Sequence, residues 1–400
     1  MNTISERIKR LAESATLAMT RKSLELKQQG KAVINLSIGE PDFDTPAFIK
    51  DAAKRALDDN FTHYTAVPGI IELRQAICRK LLRDNHVSYT PEQIVVTTGA
   101  KQALVNTLLA IVNPGDEVIV PTPFWVSYSE MVKIAEGKSV FINTRIEDDF
   151  KITPEQLREA ITPQTKLIML NSPCNPTGSV YTREEMKALA DVIAEYPSVY
   201  VLSDEIYEHI IFDGHHESFA QFEAIKERVI IVNGVSKGFA MTGWRLGFLA
   251  APLPIAKACS KMQGQFTSAT CSIAQKAAVA AFEADPSSTP ELSDMVTQFH
   301  RRRDLLLQLL NEIPGLKTNV PQGAFYVFPD VTAYYGKKYQ DKVIENGNDL
   351  CLHILEKEYV AMVPGSAFGD PNCIRLSYAA SEETLKEAVR RIKKALSELQ

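Results

Sequence analysis

The chain of 400 residues contains no C-x-x-C pair; its six cysteines, Cys78, Cys174, Cys259, Cys271, Cys351 and Cys373, stand singly. That spacing excludes a disulfide framework and a zinc ribbon, and it points to reduced thiols in a cytoplasmic protein. Positive charge is not in excess, since 44 Lys and Arg face 49 Asp and Glu for a net charge of -5. Such a chain lacks the basic field that holds phosphate backbones or anionic membranes, so neither nucleic acid nor a lipid surface is an expected partner. No apolar run approaches the ~20 residues of a membrane span. The N-terminal MNTISERIKRLAES lacks the apolar core of a signal peptide and reads as an amphipathic helix with Ile4, Ile8 and Leu11 on one face. Neither G-x-x-x-x-G-K-[ST] nor G-x-G-x-x-G occurs, which argues against a nucleoside triphosphate or a dinucleotide.

What is present is an α/β alternation. Between residues 90 and 250, short β-branched runs alternate with amphipathic helices, predicting a mostly parallel seven-stranded sheet covered by helices. The predicted strands are Ile94–Thr98, Glu117–Val120, Ser139–Ile142, Lys166–Leu170, Val199–Ser203, Val229–Asn233 and Leu246–Ala250. Thr153-Pro154-Glu155-Gln156 and Thr182-x-x-Glu185 open helices as capping boxes. The polar segment Ala284–Pro290 breaks the pattern, and beyond it come a long helix, strands at Gly323–Phe328 and Cys373–Ser377, and a last helix with Leu385, Val389, Ile392 and Leu396 in register. A large domain over 46–285 and a smaller α+β domain made of 1–45 and 286–400 are therefore expected.

Three predicted strands end in polar residues: Asn171 and Asn175 in LIMLNSPCNPTG, Asp204 in VYVLSDEIY, and Ser236 and Lys237 in VIIVNGVSK. Ligands of open α/β sheets sit beyond the carboxyl ends of the strands, so these tips converge on one site. A fourth tip runs through Gly99 into a helix, where free N–H groups and the helix dipole favour a phosphate. In Ser236-Lys237-Gly238 through Gly243-Trp244-Arg245, burial or the Arg245 cation would lower the lysine pKa toward the neutral amine that forms a Schiff base, with Ser236 and Arg245 gripping a phosphate beside it. Asp204 suits a protonated pyridine nitrogen and Tyr207 a ring hydroxyl. Arg375, alternating with Ile374 and Leu376, offers a carboxylate a two-pronged fork. Each has a plainer reading: Lys237 as a solvated lysine, Asp204 as a helix cap, Arg375 as an ordinary ion-pair partner, and Trp125 as core. Lys101 is read as a first-turn cation favouring a bound anion, His215-His216 as an exposed loop pair, and Arg301-Arg302-Arg303 as a charged helix face.

At these residues the chain resembles the class I aminotransferases of pyridoxal-phosphate fold type I, in particular the bacterial aspartate aminotransferase subgroup. The resemblance runs through SATLAM (Ser14–Met19), IGEPDFDTP (Ile38–Pro46), HYTAVPGIIELR (His63–Arg74), TGAKQAL, PTPFWVSY, NSPCNPTG, SDEIYEH, SKGFAMTGWR, PQGAFYVF and IRLSYA. It implies pyridoxal 5'-phosphate as cofactor and a ping-pong transfer between amino acid and 2-oxo acid substrates, L-aspartate and 2-oxoglutarate above all. It implies Lys237 as the Schiff-base lysine that also moves the proton, Asp204 at the ring nitrogen, Tyr207 and Asn175 at the ring hydroxyl, and Trp125 stacked on the ring. The phosphate would be held by Ala100, Lys101, Ser236, Arg245 and, from the neighbouring subunit of a homodimer, Tyr64. Gly39 and Arg375 would receive the substrate α-carboxylate, Trp125 and Asn175 would also border the substrate, and Lys101 and Thr16 would meet a distal carboxylate. Prephenate-accepting members carry a lysine shortly before the S-A-T motif, where this chain has Ala12. Other specificities or a C–S β-lyase remain open on the same fold. A cofactor-sensing transcription regulator would need a DNA-binding segment that the first 45 residues do not supply.

Overall fold

The computed structural model describes residues 3–13 and 15–400; Ser14, the first residue of the S-A-T motif, lies outside the described residues. The N-terminal part begins with the short helix α1 (Glu6–Lys9), capped by Ser5, and continues as α2 (Ala15–Gln28). Among the described residues only one turn of the expected N-terminal helix forms, with Ile4 and Ile8 exposed and so adding little apolar burial to a longer one. Strand β1 (Ile34–Asn35) leads to α3 (Ala47–Asp58) and α4 (Ile71–Asn85).

The seven-stranded sheet follows, made of β2 (Ile94–Thr97), β3 (Glu117–Thr122), β4 (Lys138–Asn143), β5 (Thr165–Asn171), β6 (Tyr200–Asp204), β7 (Val229–Gly234) and β8 (Gly247–Ala250). Their order is β2-β8-β7-β6-β5-β3-β4, and β8 alone runs against its neighbours, pairing antiparallel with both β2 and β7. Each expected strand is present within a residue or two. The central strands are buried along nearly their whole length, as expected of a sheet covered on both faces. Side-chain alternation divides them between two cores. Ile94, Val96, Ile168, Val201 and Ile231 pack with α3, α4, α7 (Pro154–Ala160), α8 (Arg183–Ala194) and α10 (Ser272–Glu283). Val95, Val118, Leu167, Leu202 and Val232 face α5 (Ala100–Ile111), α6 (Tyr128–Ile134) and α9 (Leu253–Phe266). The capping boxes at Thr153 and Thr182 are both formed and fix where α7 and α8 begin.

After α10 the chain forms the long helix α11 (Pro290–Asn311), strand β9 (Tyr326–Val327), the hairpin β10 (Lys338–Tyr339) and β11 (Lys342–Val343), α12 (Gly347–Glu358), β12 (Val360–Ala361), β13 (Val363–Pro364), β14 (Ile374–Ser377) and α13 (Glu382–Ser397). The expected strand Gly323–Phe328 shortens to β9 because Ala324 adopts a left-handed φ of 58°. Strands β13, β14 and β9 form a small antiparallel sheet, and β1 pairs with β12. Met19, Val33 and Leu36 share a core with the buried faces of α11, α12 and α13, so the first and last parts of the chain fold together. Arg302 and Arg303 depart from the solvated face expected of them. Arg302 pairs with Asp42 at 2.7 Å and stacks on Phe43 and Phe299, while Arg303 donates to the Pro321 carbonyl at 3.0 Å and lies over Phe212. Only Arg301 of the three is well exposed, paired with Glu382.

Candidate active site

Parallel strands β5, β6 and β7 deliver Asn171, Asp204 and Ser236 to one edge of the sheet. Because β8 is reversed, its N-terminal end lies at that same edge, and Arg245 arrives there beside the Gly99 turn that joins β2 to α5. Gly99 has φ 78°, and a Cβ on it would run into the Arg245 guanidinium, so only glycine permits the approach. The result is a cavity of about 300 Å³ lined among others by Thr16, Gly39, Ala100, Lys101, Trp125, Asn175, Asp204, Tyr207, Ser236, Lys237, Arg245 and Arg375. Every expected site residue is in that lining except Tyr64, whose side chain is 99% exposed on the surface of this chain.

Lys237 Nζ donates to the Gly39 carbonyl at 2.5 Å. Burial lowers its pKa to about 8; Glu40 and Asp204 oppose the shift, while Arg375 and Arg245 reinforce it. A substantial neutral fraction, the nucleophilic form, is therefore available near neutral pH. Asp204 is buried at the tip of β6, and desolvation raises its pKa to about 6 against the hydrogen bonds from Tyr128 and the Ile206 N–H. Tyr128 Oη donates to Asp204 Oδ2 at 2.7 Å. Asn171 Nδ2 donates to the Asp204 carbonyl at 2.9 Å and its Oδ1 accepts from the Asn175 N–H at 2.8 Å, which ties the tips of β5 and β6 together.

Arg375, 2% exposed, donates from Nη1 to Asn175 Oδ1 at 2.9 Å and from Nη2 to the Ser37 carbonyl at 2.6 Å, with its plane over Tyr326 and Phe368. Its Nε is buried without a partner. Tyr207 and Tyr326 share a hydrogen bond of 2.8 Å, and burial holds the Tyr207 phenol well above its usual pKa. At the mouth, Lys101 Nζ lies 4.8 Å from the Trp125 ring and 3.3 Å from Ser127 Oγ, and burial, reinforced by the Arg245 charge, pushes its pKa down. Tyr128, Tyr326 and Ser37 carry these contacts although sequence reasoning assigned them nothing. Tyr128 stands at the start of α6, three residues after Trp125, and its local sequence carries no sign of the contact with Asp204.

The donor set fits pyridoxal 5'-phosphate. The open N–H groups of the first turn of α5, with Ser236 and Arg245, suit a phosphate. Asp204, a desolvated carboxylate, suits a protonated ring nitrogen, and the partly neutral Lys237 lines the same pocket. His215 and His216 are outside the pocket; His216 is turned inward, its Nε2 3.0 Å from Glu205 Oε2, rather than exposed as expected.

Residues 31–392 match the family profile described as aminotransferase class I and II. The chain is 48% identical over 98% of its length to an aspartate aminotransferase of Pinus pinaster, of which it covers 80%. It is 46% identical over 98% of its length to an aspartate/prephenate aminotransferase of Nitrosomonas europaea, which it covers completely at 100%. The crystal structure of the aspartate aminotransferase from Rhizobium meliloti superposes with a TM-score of 0.96 at 43% identity, covering 100% of both chains. With the fold, the profile and these relatives in agreement, the chain belongs to the class I and II aminotransferases, enzymes of fold type I that use pyridoxal 5'-phosphate.

Proposed function

We propose that this chain transfers the amino group of L-aspartate to 2-oxoglutarate, giving oxaloacetate and L-glutamate, at the pocket around Lys237. The observation that carries this reading is the setting of Lys237: a buried amine with its pKa lowered to about 8, between Asp204 and the buried fork of Arg375. The bound cofactor supplies an electron-withdrawing ring that acidifies the Cα–H of the amino acid. Asp204, as an anion, keeps the ring nitrogen protonated, and Tyr207 and Asn175 hold the side bearing the ring hydroxyl. Trp125 covers the ring face. Ala100, Lys101, Ser236 and Arg245 anchor the phosphate.

Arg375 and Gly39 hold the α-carboxylate so that the Cα–H faces Lys237 Nζ, which takes the proton and returns it. Lys101 and Thr16 meet the distal carboxylate of a dicarboxylic substrate. Their place in the pocket lining, and relatives named for aspartate, support that choice. The fully exposed Tyr64 is assigned to the phosphate site of a second copy in a homodimer. Residues 46–285 act as the cofactor-bearing domain, with 1–45 and 286–400 as the smaller one. No helix among the described residues is long and apolar enough to cross a membrane, and the single cysteines suit a cytoplasmic setting.

A second reading, prephenate as amino acceptor, is favoured by the name of the Nitrosomonas relative. Ala12 supplies no cation beside the S-A-T motif, so we expect prephenate to be the poorer substrate. Mixing the holoenzyme with single amino acids, without acceptor, and following the visible band of the cofactor tests the assignment. Aspartate should convert it fastest; inactivity on aspartate with good conversion by alanine or an aromatic amino acid overturns the substrate. Lys237→Ala should abolish both the covalent attachment of the cofactor and turnover, and survival of either overturns the role of Lys237.

A further inference from the structure

Behind the strand tip that carries Asp204 lies a second polar cluster that takes no part in the chemistry above. Neighbouring strand residues face opposite sides, so Ser203 and Glu205 turn away from the pocket that Asp204 lines. Glu205 Oε1 accepts from Ser203 Oγ at 2.8 Å and from Ser218 Oγ at 2.7 Å. Glu208 accepts from Asn85 Nδ2 at 2.8 Å and is ion-paired with Lys80, which is fully buried and also donates to Asn85 Oδ1 at 2.6 Å. Asp84 stands 3.8 Å from the same ammonium. Glu205, Glu208 and His216 bring their ligand atoms within 4.8 Å of one another, but the Lys80 ammonium already supplies the positive charge a metal would bring.

One member of this cluster reaches the reactive loop. The ring of His209 has its Nε2 3.2 Å from Glu208 Oε1, off the line of a hydrogen bond, and that nitrogen is buried without a partner. Burial lowers the His209 pKa to about 4, with Lys80 and His216 pushing the same way and Glu208 and Asp84 opposing. The ring is therefore neutral at ordinary pH and works by shape. It meets the Phe239 ring nearly edge-on at 5.4 Å, and a Cβ built on Gly238 would fall 2.8 Å from His209 Cδ2 and 2.9 Å from His209 Cβ. Gly238 does not have a left-handed φ, so it is the His209 side chain, its Cβ as well as its ring, and not the backbone conformation, that demands a glycine immediately after Lys237.

We propose that His209 is a positioning residue for Lys237, forming the wall against which the Lys237–Gly238 peptide is seated and itself held from behind by the Glu208–Lys80 pair. The inference rests on Lys237 carrying the cofactor. Displacing a reacting group by about 1 Å can cost roughly a hundredfold in rate, and a Cβ at position 238 would force a shift of that order unless the whole His209 side chain, Cβ included, were removed.

The test compares three holoenzyme variants, Gly238→Ala, His209→Gly and the double variant, because glycine at position 209 removes both the ring and the Cβ. Gly238→Ala should lower kcat by about tenfold or more with KM for aspartate within about threefold of the parent, and His209→Gly should lower kcat by about threefold or more. In each single variant the pH midpoint of the visible cofactor band should move by about half a unit, the signature of an altered lysine environment. The double variant should recover at least about threefold in kcat over Gly238→Ala and return the midpoint toward the parent value. A double variant no better than Gly238→Ala, or a Gly238→Ala indistinguishable from the parent, overturns the proposal. If His209→Gly is insoluble, Gly238→Ala is judged alone by the kcat and band-midpoint criteria above. Borohydride reduction followed by peptide mass analysis separates the two claims: a label absent from residue 237 refutes the cofactor assignment itself, whereas a label present with unchanged kcat and band refutes only the role of His209.

Discussion

Tyr128 hydrogen-bonds to Asp204 across 2.7 Å with both side chains buried, so the acid at the floor of the pocket is tuned by a residue that does not line it. A donor to the ionised carboxylate opposes the burial that lifts Asp204 to about 6. Tyr128→Phe deletes that donor alone, and such a bond is worth about 1.5–3 kcal/mol. We expect the Asp204 pKa to rise by about one to two units. The pH below which the apoprotein loses affinity for cofactor should move up with it. Titrating cofactor binding over a pH series checks this; superimposable curves for the two proteins would remove Tyr128 from the account.

Arg375 is gripped by Asn175 and Ser37 and stacked between Tyr326 and Phe368, which fixes the plane of its fork. Lysine keeps the charge and loses the plane. Arg375→Lys should lower kcat/KM by about a hundredfold, roughly 3 kcal/mol, for aspartate and alanine alike, because both present an α-carboxylate. A loss confined to aspartate would move Arg375 to the distal carboxylate.

Lys101 predicts the opposite selectivity. Lys101→Met should weaken the phosphate site for every substrate, but lower kcat/KM for aspartate by about ten- to a hundredfold more than for alanine, because only aspartate also loses a partner for its distal carboxylate. Parallel losses on both substrates, measured in the same assay, would assign Lys101 to the phosphate alone.

The Lys80–Glu208 pair is expected to matter for folding. Lys80→Met leaves Glu208 buried without its cation, and such a broken pair costs about 3–5 kcal/mol, whereas replacing both partners by apolar residues of similar volume costs much less. Burial pushes the Glu208 pKa up, but Lys80, His209 and His216 together outweigh it, so the native value is lowered. Its stabilising contribution is therefore complete above the unfolded carboxyl value near 4.3 and is lost as pH falls through the lower native value. Urea midpoints of the parent, Lys80→Met and the double replacement, measured at pH 7, decide the matter.

Two further buried groups act on stability with opposite sign. His209 has its native pKa lowered to about 4, so the unfolded chain binds the extra proton below about 6.5 and stability is lost as pH falls from about 6.5 to about 4, by up to about 1.4 kcal/mol per unit. Asp204 is raised to about 6, so the native state holds the extra proton between about 3.9 and 6 and stability rises as pH falls there. The two largely cancel in the native chain. His209→Gln should expose the difference, its stability declining less between about pH 6.5 and 4.5 than that of the parent. Parallel unfolding curves in guanidinium would show that His209 is not desolvated.

The sheet and the pocket could be read from sequence because each rests on local pattern: uninterrupted β-branched runs such as IVVT and VIIV make doubly covered strands, and polar residues at three strand tips must meet at one edge. What could not be read depends on partners distant in the chain. Arg302 looks solvated until Asp42 and Phe43 are folded against it, and His216 looks exposed until Glu205 is found beneath it. Tyr128 resembles an ordinary core residue of α6, since nothing in PTPFWVSY announces that Asp204 lies within hydrogen-bond reach.

The reversed strand β8 also sets an order of assembly. Ile94 at the start of β2 finds its partner only in Ala250, so the turn at Gly99 has no neighbouring strand, and no Arg245, until more than half of the chain has been synthesised. Arg375 comes later still, and Ser377 on the same strand pairs with Tyr326. During vectorial synthesis β5, β6 and β7 can form a sheet in sequence order, while β2 waits as an unpaired edge exposed to unwanted association. The phosphate cradle is consequently incomplete until Arg245 and β8 have been synthesised, and a nascent chain arrested before residue 245 would display Asp204 and Lys237 without it.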